Sequence, residues 1–194
     1  FETHVASVLS QGGWQSGTNA EWDVERALFS DRICAFLQET QPKLWEEMRG
    51  LHAAGLEVLL IDALVKELAL KGTLHILRHG FKFYGKTFRL AYFKPAHGLN
   101  YDVLSLYAKN QLTITRQVLC HPGKHDTLDL LFAVNGLPVA TCELKNPGTG
   151  QSWRRAVLQY QTERDPRAPL FGFKSRALVH FAADPDEVHM ATRL

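Results

Sequence analysis

Hydrophobic positions along this 194-residue chain fall into two textures. As far as Gly72 they recur every three or four residues, the spacing of one helix face. Phe1, Val5, Val8 and Leu9 keep that spacing and Gly12-Gly13 closes it, so a helix is predicted over residues 1–11. Trp14 to Asn19 reads as a polar turn. Leu28, Phe29, Ile33 and Phe36-Leu37 form the stripe of a second helix over Asp23 to Leu37. Thr40-Gln41-Pro42 opens a third, Lys43 to His52, because proline fits the first helical turn where its missing N–H costs nothing. Leu56 to Leu70 is a fourth, with Leu59, Leu60, Leu64 and Leu68 inward, Asp62, Lys66 and Glu67 outward, and Lys71-Gly72 ending it. These helices predict a packed scaffold without chemistry of its own.

From Thr73 the texture changes to strands. Arg78, His79, Lys82, Lys86, Arg89 and Lys94 alternate with Phe81, Phe83, Tyr84, Phe88, Tyr92 and Phe93, between turns at Gly80 and Gly85. Such interleaving suits a surface that neutralises phosphates and stacks on bases. It suits equally a strand with one buried aromatic face and one solvated basic face. Leu99 to Asn110 reads as a short helix and Leu112 to Cys120 as a strand, with Arg116 free to reach a phosphate or a neighbouring carboxylate. Gln151 to Arg164 is helical again and Asp165-Pro166 breaks it. Ala177 to Ala182 is a last apolar strand, where His180 reads as a core histidine rather than a ligand. Asp184-Pro185-Asp186 is a turn, and His189 lies beyond it in a further strand. The fold class this predicts is α/β, a central mixed sheet with flanking helices and the helical segment 23–70 packed on one side.

The stretch DTLDLLFAVNGLPVATCELKN, Asp126 to Asn146, carries the candidate chemistry. Asn135-Gly136 between two apolar runs is the strongest short-range signal of a hairpin. Three ionisable residues interrupt those runs: Asp129 on the first strand, Glu143 and Lys145 on the second. Charges in a core strand need partners or a metal. Side chains alternate faces, so Glu143 and Lys145 share one. Asp129 joins them only if it pairs opposite Glu143, and a plain two-residue turn would pair it with Cys142 instead. An odd-length loop or a β-bulge is therefore predicted. Two carboxylates converging at a sheet edge make an oxygen-ligand site for Mg²⁺. A lysine beside them can orient or deprotonate an attacking water and offset charge developing on a phosphate. The pattern points to metal-dependent phosphodiester hydrolysis; the competing reading is a surface salt bridge at a sheet end. Glu2, at the start of the first helix, either favours that helix end or is an outer ligand of the metal site.

Composition changes little. Hydrophobic residues make up 45% and charged residues 22%, with net charge +2 and nine histidines, so bulk charge neither demands nor excludes nucleic acid. Cys34, Cys120 and Cys142 are odd in number and far apart, which reads as reduced thiols in a cytoplasmic protein rather than a disulfide or zinc set. No apolar run approaches a membrane span, and no signal-peptide pattern opens the chain. The first residue already lies inside a helical pattern, so some residues are expected to precede it. NPGTGQSW, after the hairpin, is a loop without the Gly-Lys-Ser/Thr ending of a phosphate-binding loop.

Long words add a resemblance. GTLHILRHGFK, FRLAYFKPAHGLN, LTITRQ, LDLLFAVNGLPVATCELKNP, QY-x-x-x-RDPRAPLF and ALVHFAADPDEVHMATRL are similar to the N-terminal nuclease region of the restriction (R) subunit of type I restriction–modification enzymes, and Phe1-Glu2 and Gly12-Gly13-Trp14 fit its start. The resemblance implies a PD-(D/E)xK restriction-endonuclease-like core over 1–194 with 23–70 as a helical insertion. Asp129, Glu143 and Lys145 fall on the motif, although Leu128 stands where the strict pattern has proline. A Gln-x-x-x-Tyr motif in related nucleases places Gln159 as a supporting catalytic residue. Glu163 occupies the tyrosine position, with Tyr160 as its substitute. The metal ligands implied are Asp129, Glu143 and, from the first helix, Glu2. Candidate DNA contacts are Arg78, Lys82, Arg89, Lys94, Arg116 and Tyr160. The implied activity is Mg²⁺-dependent endonucleolytic cleavage of double-stranded DNA. ATP would serve only the translocase domains that follow in the full subunit, and separate methylation (M) and specificity (S) subunits would be partners. The alternative is a catalytically silent DNA-binding or docking module, which would have no reason to keep all three of Asp129, Glu143 and Lys145.

Overall fold

The two textures become two layers in the computed structural model, which describes every residue except Ala53, Pro147 and Thr149. Among the described residues there are seven α-helices, a six-stranded sheet and a two-stranded hairpin. Helices α1 (Glu2–Gln11), α2 (Ser30–Thr40), α3 (Pro42–Leu51), α4 (Leu56–Lys71) and α5 (Thr73–His79) precede most of the strands. The order then runs β2 (Phe81–Phe83), β3 (Lys86–Phe88), α6 (Tyr101–Ala108), β4 (Leu112–Leu119), β5 (Thr127–Val134), β6 (Leu137–Leu144), α7 (Trp153–Thr162), β7 (Val179–Ala183) and β8 (Val188–Ala191). A two-residue strand, β1 (Gln15–Ser16), lies within the predicted polar turn and pairs parallel with β4 at the sheet edge. Such a short edge strand leaves no hydrophobic alternation to read.

The sheet order is β1-β4-β5-β6-β7-β8, and it is mixed. β4, β5 and β6 are antiparallel neighbours; β6 and β7 are parallel and joined through α7; β8 returns antiparallel at the edge. One face carries α1, whose Val5 and Leu9 pack with Trp14 against Ile114, Leu130, Phe132, Cys142 and Ala183. The other face buries Leu128, Leu131 and Ala133 under Tyr160, Phe171 and Ala177. The helical layer has its own core, from Leu28, Phe36, Trp45, Leu60, Leu64 and Leu68 to Phe81, Phe88 and Leu137.

Three boundaries differ from expectation. Residues 23–29 form a turn closed by a bridge between Asp23 and Leu28, and α2 begins only at Ser30. Asp23 holds this turn by accepting from the Arg26 backbone N–H (2.9 Å) and guanidinium (3.0 Å). Thr73 to His79, predicted as strand, is helix: Thr73 and Ile76, three apart, are both buried, and Ile76 joins the helical core. In α4, Leu59 faces out, while Leu56, Leu60, Ile61, Leu64 and Leu68 face in. The three cysteines are free, and burial pushes each thiol up to about 12, so they are packing residues.

The Asn135-Gly136 turn joins the layers. Both residues have positive φ (52° and 88°), the geometry of a two-residue hairpin turn matched to strand twist. Asn135 is buried and fully used: its side chain accepts from Gln111 N (2.6 Å) and donates to Leu90 O (2.8 Å) and Asn110 Oδ1 (2.9 Å). Gly136 O accepts from Phe29 N (3.0 Å), so the turn is seated on the start of α2. A Cβ at Gly136 would lie 2.7 Å from Phe29 O and 2.9 Å from Ile33 Cγ1.

Two predictions follow from packing. Gly136→Ala should lower the unfolding free energy by about 2–3 kcal/mol in urea titration, combining left-handed strain with the clash. Gly85→Ala, at φ 77° with nothing within 4 Å of the added carbon, isolates the strain and should cost only about 1 kcal/mol. Equal losses would mean that the contact with α2 is soft. The second concerns His180, whose Nδ1 bonds Thr141 Oγ1 (2.8 Å) and whose pKa burial pushes from 6.5 down to about 4. The unfolded chain takes up this proton below about pH 6.5 while the folded one resists it to about 4, so His180 costs stability as pH falls through that window. Between pH 8 and pH 5 the wild type should lose roughly 2 kcal/mol more than His180→Asn, a comparison that cancels titrations elsewhere. Parallel pH profiles would refute this.

Candidate active site

The register of β5 and β6 decides whether the hairpin charges meet. Near the turn Val134 pairs with Leu137 and Ala133 with Pro138; beyond it Phe132 pairs with Ala140 and Leu130 with Cys142. One residue of β6, Val139, is therefore extra, a β-bulge on a two-residue turn. Its position has a local cause: Pro138 has no N–H for the ladder, and proline inside a sheet is found at bulges and edges. The carbonyl of Val139 turns to β7's side and accepts from Leu178 N (2.8 Å). The bulge that the sequence demanded is present, but the ladder ends at Leu130 and Cys142, and beyond it Asp129 lines an open cleft that Glu143 does not reach, so the expected convergence of the two carboxylates is not found.

β5 then breaks its alternation. Leu128 and Leu131 both enter the core beneath α7, whereas Leu130 enters the core beneath α1. The irregularity faces Gln117 in β4, which holds φ 51° between the pairs Arg116–Leu130 and Val118–Leu128. Asp129 consequently opens into a cleft lined by Phe1, Glu2, Leu144, Lys145 and Asn146. Its Oδ2 accepts from Leu144 N (2.7 Å) and its Oδ1 from Gln117 Nε2 (3.2 Å). The same Gln117 nitrogen donates to Glu2 Oε2 (3.0 Å). A neutral amide thus stands between two carboxylates that would otherwise repel. Arg116 Nε donates to Glu2 Oε1 (2.5 Å), so it takes the neighbouring carboxylate of its two sequence alternatives.

Lys145 reaches the cleft from the end of β6, and its Nζ donates to Gln159 Oε1 on α7 (2.6 Å). Glu143 is placed differently. It is 1% exposed, does not line the cleft, and both Nε (3.0 Å) and Nη2 of Arg164 donate to its Oε1. Arg164 Nη2 also donates to Thr127 O (2.8 Å). Burial pushes the Glu143 carboxyl up to about 7 against the pull of Arg164, with Asp129 adding to the rise and Lys145 opposing it. Glu143 therefore lies within the electrostatic reach of both other motif residues, although its partner is elsewhere.

The helix that supports this end of the sheet is itself tied down. Asp184, just after β7, accepts from Trp153 N at the start of α7 (2.8 Å) and from the backbone of Asp186 and Glu187 (3.0 and 2.9 Å), and these bonds hold its carboxyl below the usual range. Tyr160 is buried, shares a hydrogen bond with Thr141 (2.8 Å), and is pushed well above its ordinary pKa by burial. It presents no ring to a nucleic acid. Arg78, Lys82, Arg89 and Lys94 are exposed, but none lines the Asp129 cleft.

Sequence reasoning missed Gln117 and Arg164. Gln117 looked like an ordinary polar position of an alternating strand, and Arg164 sits in the charged run RDPR that reads as a solvated helix end. Glu2 Oε2 and Asp129 Oδ1 both accept from Gln117 Nε2, so a cation held between them would take the place of that amide, with Lys145 lining the same cleft. Among the described residues no three acidic, histidine or cysteine groups are placed to hold a metal ion together, so the three-carboxylate set of Asp129, Glu143 and Glu2 is not assembled. Of the loop NPGTGQSW, Pro147 and Thr149 lie outside the described residues.

No helix among the described residues is long and apolar enough to cross a membrane. Searches of curated proteins and of solved structures return no match to the chain. A family model of the type I restriction enzyme R protein N terminus, however, matches residues 75–193, the span that holds the bulged hairpin, α7 and both closing strands. With more than half of its length matched, and with the mixed α/β sheet around that hairpin, the chain belongs to the N-terminal domains of type I restriction enzyme R subunits.

Proposed function

We propose that this domain is the nuclease of its restriction complex, cutting double-stranded DNA by Mg²⁺-dependent phosphodiester hydrolysis. The observation that carries the reading is the meeting of Asp129, Glu2 and Lys145 in one open cleft at the end of an apolar hairpin. Asp129 has two hydrogen-bond donors but no cationic side chain within ion-pair distance among the described residues, so its charge is available to a cation. Asp129 and Glu2 would hold the metal, while Glu143, buried and paired with Arg164, lies outside the cleft. A bound Mg²⁺ supplies a positive charge to a phosphate oxygen and a more acidic water. Lys145, aimed by Gln159, orients the attacking water and offsets negative charge building on the phosphate. In this reading cleavage is directed by separate specificity and methylation subunits and by ATP-driven translocase domains of the same subunit.

In the assembled enzyme, Asp129→Ala, Glu143→Ala and Lys145→Ala should each lower duplex cleavage by about a thousandfold or more, while ATP hydrolysis continues. Gln159→Ala should cost roughly tenfold to hundredfold, since it aims the lysine without touching substrate. Agarose-gel cleavage of a circular plasmid checks both. An Asp129→Ala enzyme that cuts at the normal rate, or a wild type that does not cut with Mg²⁺ present, would favour a docking module instead.

A further inference from the structure

A second cleft, of about 580 Å³, opens at the other end of β7 from the Asp129 site. Leu178 and Val179 line it where that strand begins, whereas Lys145 N meets Ala183 O where it ends. The five residues of β7, about 13 Å of extended chain, separate the two. Segments remote in sequence build the cleft: α5, the loop before β7, and Thr192 after β8. His75, Arg78 and His79 are spaced three and four apart, so α5 presents them on one face, with the two imidazole centroids 4.7 Å apart. Lys174 joins them from the loop. It holds φ 67°, its carbonyl accepts from Thr73 N (2.7 Å), and a Cβ on Gly72 would lie 2.9 Å from that oxygen. A strained lysine is therefore pinned against the first turn of α5.

Among the described residues no acid lines this cleft, and of its basic residues only Lys71 has a carboxylate partner, Glu67 at 2.6 Å. Lys174 Nζ lies instead 4.9 Å from the ring centroid of Phe173, and Arg193 Cζ 5.5 Å from the same ring. Arg89 adds a further guanidinium beside them, donating to Arg78 O (3.3 Å). Cations gathered without counter-charges repel one another, and a bound anion removes that cost. Phe173 and Leu74 leave apolar surface exposed next to the charges, at 54% and 45%. A free phosphate ion would use the charges alone. A nucleic-acid strand uses both, with phosphates on the cations and sugar or base against the ring. We infer that this cleft is a second DNA-binding site, gripping backbone phosphates through Arg78, Lys174, His75 and His79 on a segment away from the scissile one. The choice of duplex DNA rests on the nuclease reading; the phosphate chemistry does not.

The test is fluorescence anisotropy of a short labelled duplex titrated with this chain in EDTA, at several salt concentrations. Metal-free conditions prevent cleavage, so the measurement does not depend on turnover. Wild type is compared with Arg78→Gln, Lys174→Gln and a control of equal charge change, Lys43→Gln, at an exposed position of α3 outside the cleft. Thermal unfolding is recorded for each, and Arg78→Gln decides the outcome if the strained Lys174 position does not tolerate glutamine. Each cleft variant should weaken binding about fivefold at low salt, whatever the duplex sequence, and flatten the log–log salt dependence by about one unit. Lys43→Gln should change neither. Equal losses in all three variants, or none in the cleft variants, would overturn the inference. So would ATP binding that depends on Arg78 and Lys174 while duplex binding does not. A wild type that binds duplex through these residues yet never cuts it with Mg²⁺ present would uphold the site and refute the nuclease reading alone.

Discussion

One extra residue in β6 sets the geometry of everything at the far end of the hairpin. The turn cannot absorb the mismatch, because Asn135 is bonded to Gln111, Asn110 and Leu90 and Gly136 is pressed against Phe29 and Ile33. A two-residue turn with an unbroken ladder would set Cys142 opposite Asp129 and turn Glu143 away. The bulge at Val139 shifts the register so that Leu130 meets Cys142, and Pro138 places it where a ladder bond is already impossible. The same turn that docks the helical layer onto the sheet thereby fixes, eight residues along β6, which charges can share an environment.

The electrostatics of that environment are organised by pairing each charge with a group from a different element. Glu2 of α1 is met by Arg116 of β4, Lys145 just after β6 by Gln159 of α7, and Glu143 of β6 by Arg164 beyond α7. Asp129 receives only a backbone N–H and an amide. Glu143 and Arg164 are both almost fully buried, and removing one member of such a pair costs on the order of 3–5 kcal/mol because the other charge is stranded. Hydrophobic residues of similar volume would stabilise this position at least as well. Asp129, by contrast, faces an open cleft with two neutral donors.

What the sequence disclosed, and what it hid, follows from the range of the interactions. Asp129, Glu143 and Lys145 stand out because they are ionisable residues in short apolar runs, and the parity of the turn alone demanded a bulge or an odd loop. The helices of the first 71 residues were legible from 3.6-residue spacing, apart from the start of α2, where the Asp23 turn takes the place of a first helical turn. Thr73 to His79 misled because seven residues are too few for a periodicity to separate helix from strand, and tertiary burial of Ile76 decided it. Arg164 and Gln117 were invisible for another reason: each is defined by a partner 10 or more positions away, Glu143 for one and Glu2 with Asp129 for the other, and nothing local distinguishes them from surface residues. Tyr160 shows the converse error, a polar aromatic whose hydroxyl is satisfied inside the core by Thr141.

The β6-α7-β7 unit closes on itself in a way that makes α7 more than a cover. Asp184 at the end of β7 fixes the first turn of α7 through Trp153 N, and Lys145 N donates to Ala183 O (2.9 Å), so the chain leaving β6 is held by the strand that follows the helix. From that fixed start, Gln159 and Arg164 reach back to Lys145 and Glu143. α7 and the residues after it thus brace Lys145 and Glu143, while Asp129 is held by β4 and by Leu144 N. All three motif residues belong to the hairpin, and two of them are braced from the α7 side.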